Sequence, residues 1–366
     1  MLSSASLQYL NKTGRLLWWS LFLVILGFSF KVSKVDLRSL IDGLSLSLAL
    51  GREMLPPDFS RWKHILTLAA ETVAMGFWGT ILGMLISLPL GFLAARNTAK
   101  NWLIYHLSKG LVTLLRSIPD VIYAFFFVTA FGLGPQAGVA ALTLATVGLL
   151  GKFYSEAVES IDEKPVEALK ATGSRSLGVI RHAIVPQVLP LFMGYNLYLL
   201  DHNIRIALAL GVVGAGGLGV ELFTQMRSFH YQKAAAILVV ILVMITIIDR
   251  VSAYLRNSII NSAFLQRGSR TKDAVLLIAI GLITLISLYF IPVDFKEMTA
   301  GAPRIWEFLK GMVPPDFSRI SVYLKLMLET VGMGISATFL AIVLAIPLGV
   351  LAARNVSHTK LQSNDN

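Results

Sequence analysis

The chain has 366 residues, of which 55% are hydrophobic and 14% charged, with a mean hydropathy of +0.70. A soluble domain carries roughly a quarter charged residues, so the shortfall argues for a membrane protein, in which blocks of about 20 apolar residues cross the bilayer. The net charge of +11 does not indicate nucleic acid, because Lys and Arg lie in short connections between apolar blocks, as they do where basic loops flank membrane helices. With no cysteine there is neither a disulfide nor a thiolate metal site.

Taken in chain order, Lys12 and Arg15 precede an apolar run from Leu16 to Phe30. No small-residue cleavage site follows it, so it reads as an uncleaved first membrane helix and not as a signal peptide. Further crossings are expected near 70–95, 103–131, 136–153, 187–210, 233–250, 273–291 and 326–353. That makes an all-α polytopic bundle of about eight transmembrane helices with both termini on one side. The third crossing is interrupted by Arg116-Ser117-Ile118-Pro119-Asp120, where proline removes a backbone donor and predicts a kink or re-entrant break. The segments 31–65 and 292–325 are read as outside loops. With the N-terminus cytoplasmic, 16 Lys and Arg fall inside and 13 outside. The orientation therefore rests less on charge than on the loop at 153–185.

An internal repeat organises the chain. Pro56-Pro57-Asp58-Phe59-Ser60-Arg61 recurs as Pro314-Pro315-Asp316-Phe317-Ser318-Arg319, an offset of 258, and 23 of 42 positions match between 56–97 and 314–355. The expected organisation is a complete six-helix unit at 1–258, a basic cytoplasmic linker at 259–272, a partial second copy at 273–355 and a polar tail at 356–366. Within the repeat, Gly79, Gly83, Ser87 and Gly91 recur every four residues, and their counterparts Ala337, Ala341, Ala345 and Gly349 are also small. Small residues on one helical face allow close helix approach in lipid, so both copies are expected to pack through this face. Glu71 and Glu329 begin the matching crossings, where a carboxylate stabilises the positive helix end.

The polar loop 153–185 predicts a short surface helix. Asp162 can cap it, Pro165 suits its first turn, Glu167 suits its positive end, and Gly173 suits its stop. In this loop Glu167, Ala168, Gly173 and Pro186 fall in the register of the cytoplasmic signature of the binding-protein-dependent importer permeases, E-A-A, three residues, G, nine residues, I-x-L-P. Leu169, Ala183 and Val185 depart from that signature. The break at 116–120, the turn Phe131-Gly132-Leu133-Gly134-Pro135, the run Ala183–Pro190, Asn203-Ile204-Arg205 and the run Gly211–Leu222 resemble the phosphonate-uptake branch of that family.

The resemblance implies a permease core of the type I importer kind, in the inner membrane and with both termini cytoplasmic. The helix carrying Glu167, Ala168, Leu169 and Gly173, with Pro186 beyond it, becomes the coupling element that docks on a separate ATPase subunit. An extracytoplasmic binding protein and a permease homodimer, or pairing with a second permease, are further implied partners. The expected cargo is phosphonate or a related phosphorus oxyanion. ATP and magnesium are expected on the partner and none on this chain, which has no Walker A pattern: Gly151-Lys152 is followed by Phe153. The six histidines show no metal spacing, no nucleophile sits with a base, and Gly214–Gly219 lacks the strand that a dinucleotide loop needs. That glycine run reads instead as a flexible external turn near the gate.

Polar groups at membrane depth tend to mark function, so Arg116, Asp120, Asn203 and Arg205 are candidates for the translocation path, with Gly216 and Gly217 of the glycine run as candidates for its gate. The same residues admit structural readings, since Asp201 and Arg205 are four apart and can pair on one helical face. Two other function classes stay open: an ion-coupled carrier or channel, for which intramembrane carboxylates are few, and an inactive permease relic.

Overall fold

A computed structural model describes residues 4–33, 37–261, 287–291 and 295–352. Every regular element among them is helical, so the all-α expectation holds. The described helices are α1 (Ser4–Val32), α2 (Leu37–Glu53), α3 (Trp62–Leu93), α4 (Trp102–Ser117), α5 (Asp120–Phe131), α6 (Pro135–Glu159), α7 (Glu163–Ala171), α8 (Ser176–Val179), α9 (Val185–Leu210), α10 (Gly217–Arg227), α11 (Tyr231–Asn261), α12 (Phe295–Gly311) and α13 (Ile320–Ala352).

Five helical segments are long and apolar enough to cross a membrane, namely 62–93, 135–159, 176–213, 231–256 and 320–351. The pair α4 and α5 qualifies as a sixth, broken by an 88° bend. The apolar part of α1, Trp18–Val32, is shorter, and most of the expected crossing at 273–291 lies outside the described residues. The structure thus establishes a multi-pass helical protein, while the expected number of eight crossings is not reached by the described segments. The bend has a local cause: Ile118, ahead of Pro119, is extended (φ −89°, ψ 122°), and α5 restarts at Asp120.

Packing divides the chain into two units, residues 50–313 and residues 1–49 with 314–366. The first is built on α3 against α6. A Cβ placed on Gly79 would lie 2.5 Å from Leu142 Cβ, on Gly83 2.5 Å from Thr146 Cβ, and on Gly91 2.6 Å from Tyr154 Cβ. Ser87 is buried on the same face and donates to the Val147 carbonyl at 3.4 Å. The small face predicted from spacing is therefore a close helix-to-helix contact, the α3 backbone against the Cβ atoms of α6, the kind that replaces the missing hydrophobic drive between helices in lipid.

The second copy does not repeat this. Ala337, Ala341, Ala345 and Gly349 are exposed in their unit, and α13 packs instead on α1. There the Ser29 hydroxyl donates to the Gly332 carbonyl at 2.6 Å and lies 2.8 Å from the Ser336 hydroxyl, and Phe30 meets Phe339 edge-on. The physical reason is that α13's described unit contains no helix equivalent to α6.

The segments read as outside loops contain helices. α2 and α12 occupy 37–53 and 295–311, again 258 residues apart, although their sequences barely match. Their mixed apolar and polar composition hides them from a search for crossings. Behind each stands the same turn, in which Asp58 accepts from Ser60 N and Asp316 from Ser318 N, both at 2.8 Å. That backbone donor holds each carboxyl below its usual range.

α12 is docked on α5: Phe308 lies 5.8 Å from Phe126, Arg304 donates to the Ala130 carbonyl at 3.3 Å, and Gly301 faces Phe131. Because the native chain has no cysteine, this contact can be tested without background. Phe126→Cys with Phe308→Cys is expected to cross-link with a short bismaleimide in native membranes. Phe126→Cys with Leu50→Cys, the first-copy counterpart, is not. Equal yields would show that α12 does not hold that seat.

Candidate functional site

α6 carries the chain to Glu159, and the polar connection behind it folds as predicted from its caps. Asp162 accepts from Lys164 N at 3.1 Å and starts α7. At the far end Gly173 adopts φ +76°, with Gly173 N donating to Lys170 O at 3.0 Å and Ser174 N to Leu169 O at 3.3 Å. This paired closure needs a left-handed residue, which glycine supplies without steric cost. Val166 is buried and Leu169 half-buried against a core that includes Ala95, Tyr154, Val158, Ile184 and Val188. The opposite face, with Glu167, Ala168, Lys170 and Ala171, is exposed, as is Gly173.

The start of α7 is also clamped to the next crossing. Gln187 Oε1 accepts from Asp162 N at 3.0 Å, while its Nε2 donates to Asp162 O at 3.3 Å and Ala183 O at 2.8 Å. A displacement of α7 therefore pulls directly on α9. The expectation that this crossing begins beyond Pro186 is corrected, since helix runs from Ser176 through a wide turn at Ile180–Ile184 into α9. In that turn Val185 N reaches back to Ile180 O. Such a widened turn offers room for a proline, which has no N–H to donate. Pro186 itself is exposed on the second residue of α9.

Deeper in the bundle the path candidates separate into distinct places. Arg116 and Asp120 share a cavity of about 400 Å³ at the α4–α5 break, with Leu115, Ile118, Ile206 and Ala209 among its walls. The break is seated on Gly148, where an added Cβ would lie 2.7 Å from Arg116 N; sequence reasoning missed Gly148, one more small residue on a helix rich in them. Asn203 is 2% exposed, and its amide donates to Thr80 Oγ1 and Thr146 Oγ1, both at 2.8 Å. It ties α3, α6 and α9 together and does not line that cavity. Arg205 pairs with Asp201 at 3.3 Å, one turn away, and with Asp249 of α11. The pairing reading thus describes Arg205 in this conformation, with a second carboxylate that spacing alone did not reveal.

Gly216 and Gly217 form a third place. Their φ angles are +91° and +72°, and a Cβ on Gly216 would meet Glu71 Oε1 and Pro135 N at 2.8 Å. Glu71 Oε1 accepts from Gly217 N at 2.8 Å and Thr72 Oγ1 from Leu218 N at 2.9 Å. Gly134 N donates to Gly214 O at 3.0 Å, joining the 131–135 turn to the glycine run. The run is therefore held by three hydrogen bonds, from α3 and from the 131–135 turn, and is not a free turn. The role expected for Glu71 is corrected likewise: α3 starts at Trp62, and Glu71 caps the first turn of α10. Its signal was a carboxylate beside a threonine, repeated at Glu329-Thr330.

Residues 87–261 match the family model described as the binding-protein-dependent transport system inner membrane component. Over 246 residues the chain is 41% identical to the phosphite transport system permease protein PtxC of Stutzerimonas stutzeri, an alignment covering 65% of this chain and 90% of that protein. The chain belongs to the binding-protein-dependent permease family. This permease is also 36% identical over 325 residues to the phosphate-import permease protein PhnE of Mycolicibacterium smegmatis, covering 87% of this chain and 60% of that one. A third relative, the putative phosphite transport system permease protein HtxC of Stutzerimonas stutzeri, shares 36% identity over 240 residues, 66% of this chain and 85% of its own. The matched region of this permease contains α7 with its clamp and the glycine run.

Proposed function

We propose that this permease is the membrane subunit of an ATP-driven importer that carries phosphonate, or a related phosphorus oxyanion such as phosphite or phosphate, into the cytoplasm. The observation that carries the reading is α7, a short capped helix anchored by Val166, Leu169 and Gln187 with its other face open. That is the form required of a lever docking on an ATPase, and on this reading α7 and both termini face the cytoplasm. ATP and magnesium bind the ATPase subunit, and this chain performs no covalent chemistry. An extracytoplasmic binding protein delivers the anion, and the permease works as a homodimer or beside a second permease. The names of the relatives, which specify phosphite and phosphate, support the cargo class.

Glu167, Ala168, Leu169 and Gly173 form the dock, and Pro186 lies where the motion enters α9. Arg116 at the α4–α5 break is the cation best placed to meet a passing anion, with Asp120 beside it in the same cavity. Asn203, Arg205, Gly216 and Gly217 hold the helices that move around this path.

The test is co-purification of the detergent-solubilised chain expressed with a candidate ATPase subunit. Wild type is expected to retain the ATPase. Glu167→Lys with Ala168→Trp is expected to lose it while still eluting as a folded membrane protein, because both changes lie on exposed positions with ordinary helical backbone. Retention by the variant would remove α7 from the contact, and no retention by either chain would favour a carrier that uses no ATPase.

A further inference from the structure

We propose that the outer face of α4 near its start is a binding site for the headgroup of an anionic phospholipid. The observation is a convergence of charge at the end of the bundle where α6 terminates. Arg96 Nε donates to the Tyr105 hydroxyl at 3.0 Å, and Lys109 Nζ donates to the same oxygen at 2.7 Å. One neutral oxygen thus holds two cations together. Glu159 is the nearby carboxylate, 3.7 Å from Lys109 Nζ and accepting from Arg96 N at 3.0 Å. Two cations against one carboxylate leave an excess positive charge.

The cluster opens onto a groove of about 610 Å³ along α4, lined by Arg96, Tyr105, His106, Lys109 and Thr113 among others. Trp102 packs against His106 with ring centres 4.1 Å apart and planes tilted by 36°, and is 72% exposed. An exposed tryptophan at a helix end is the side chain expected at a membrane interface. Beside the groove, Leu103, Leu107, Leu111 and Leu114 are all exposed on α4, one or nearly one turn apart. A cationic groove at the end of a crossing, continuing into a leucine stripe, matches a phosphate headgroup followed by an acyl chain. Basic pockets beside membrane helices recognise anionic lipids through this combination. A free oxyanion has no use for the leucines, which is why the lipid is favoured.

The site shares its end of the bundle with α7, so its assignment to the cytoplasmic leaflet rests on the proposed function. Binding itself does not, and the experiment below needs no ATPase. Purified full-length chain is titrated in detergent with phosphatidylglycerol or phosphatidylcholine, and retained lipid is read by native mass spectrometry. Wild type is expected to prefer phosphatidylglycerol by about tenfold, given two basic groups near the phosphate.

Arg96→Gln with Lys109→Gln is expected to lose the preference. Thr113→Glu places a carboxylate in the groove without touching Tyr105, and serves should the double variant fail to fold; it is expected to lose the preference too. Equal retention of both lipids by wild type, or an undiminished preference in folded Thr113→Glu, overturns the proposal. Displacement of phosphatidylglycerol by millimolar inorganic phosphate overturns it as well, by assigning the groove to the free anion.

Discussion

Gly83→Leu is expected to leave less than about a tenth of the chain folded, read as the monodisperse peak in fluorescence-detected size exclusion. A Cβ alone would lie 2.5 Å from both Thr146 Cβ and Cγ2 and 3.3 Å from the Thr143 carbonyl. No rotamer of leucine relieves this, because the clash begins at the first side-chain atom. The helices must separate, and the neighbouring contacts of Gly79 and Gly91 separate with them. Overpacking in a soluble core costs about 1–3 kcal/mol, occasionally more. The cost here belongs at the upper end, since α6 already seats its Cβ atoms against the α3 backbone and Asn203 bridges both helices. Ala341→Leu at the second-copy counterpart is the matched control. Ala341 is exposed in its unit, so the same final side chain is expected to leave the elution profile unchanged there. A normal profile for Gly83→Leu would mean that α3 and α6 do not meet as described.

Gly217→Val is the second substitution with a large expected effect. At φ +72° a β-branched residue is strained by about 1–2 kcal/mol before any contact is considered. Its Cβ would also lie 2.5 Å from Thr72 Oγ1, the atom that accepts Leu218 N. Displacing the turn disturbs two hydrogen bonds, Gly217 N to Glu71 and Leu218 N to Thr72, each worth about 1 kcal/mol when intact. The melting temperature in detergent is expected to fall by several degrees or more, and oxyanion uptake to fall with it. Gly194→Ala, with nothing within 4 Å of its added Cβ, is expected to change neither. A melting temperature equal to wild type for Gly217→Val would show that the glycine run is not seated on α3.

The elements legible in the sequence were those whose cause is local. α7 could be placed from Asp162 and Gly173 because a cap is a bond between a residue and its near neighbours. The bend at Pro119 and the small face of α3 follow equally from short-range chemistry and a four-residue spacing. Two features escaped for a common reason, that their partners lie far along the chain. Glu71 and Gly217 are 146 residues apart, and Arg205 meets Asp249 from another helix. A third escaped for a local reason: helix runs unbroken into α9 from Ser176, ten residues before Pro186, because one widened turn absorbs the proline.

By itself the sequence determined that the chain is helical and membrane-embedded, that it repeats at an offset of 258, and that a short capped helix starts behind Asp162. Those properties depend on composition, periodicity and neighbouring residues, and they are the same wherever the segment packs. Tertiary structure alone decided what each face touches. The equivalent small faces of α3 and α13 show this, the first buried against α6 and the second exposed while α13 packs on α1. A stripe of small residues permits close approach, but the contact forms only where another helix presents its backbone.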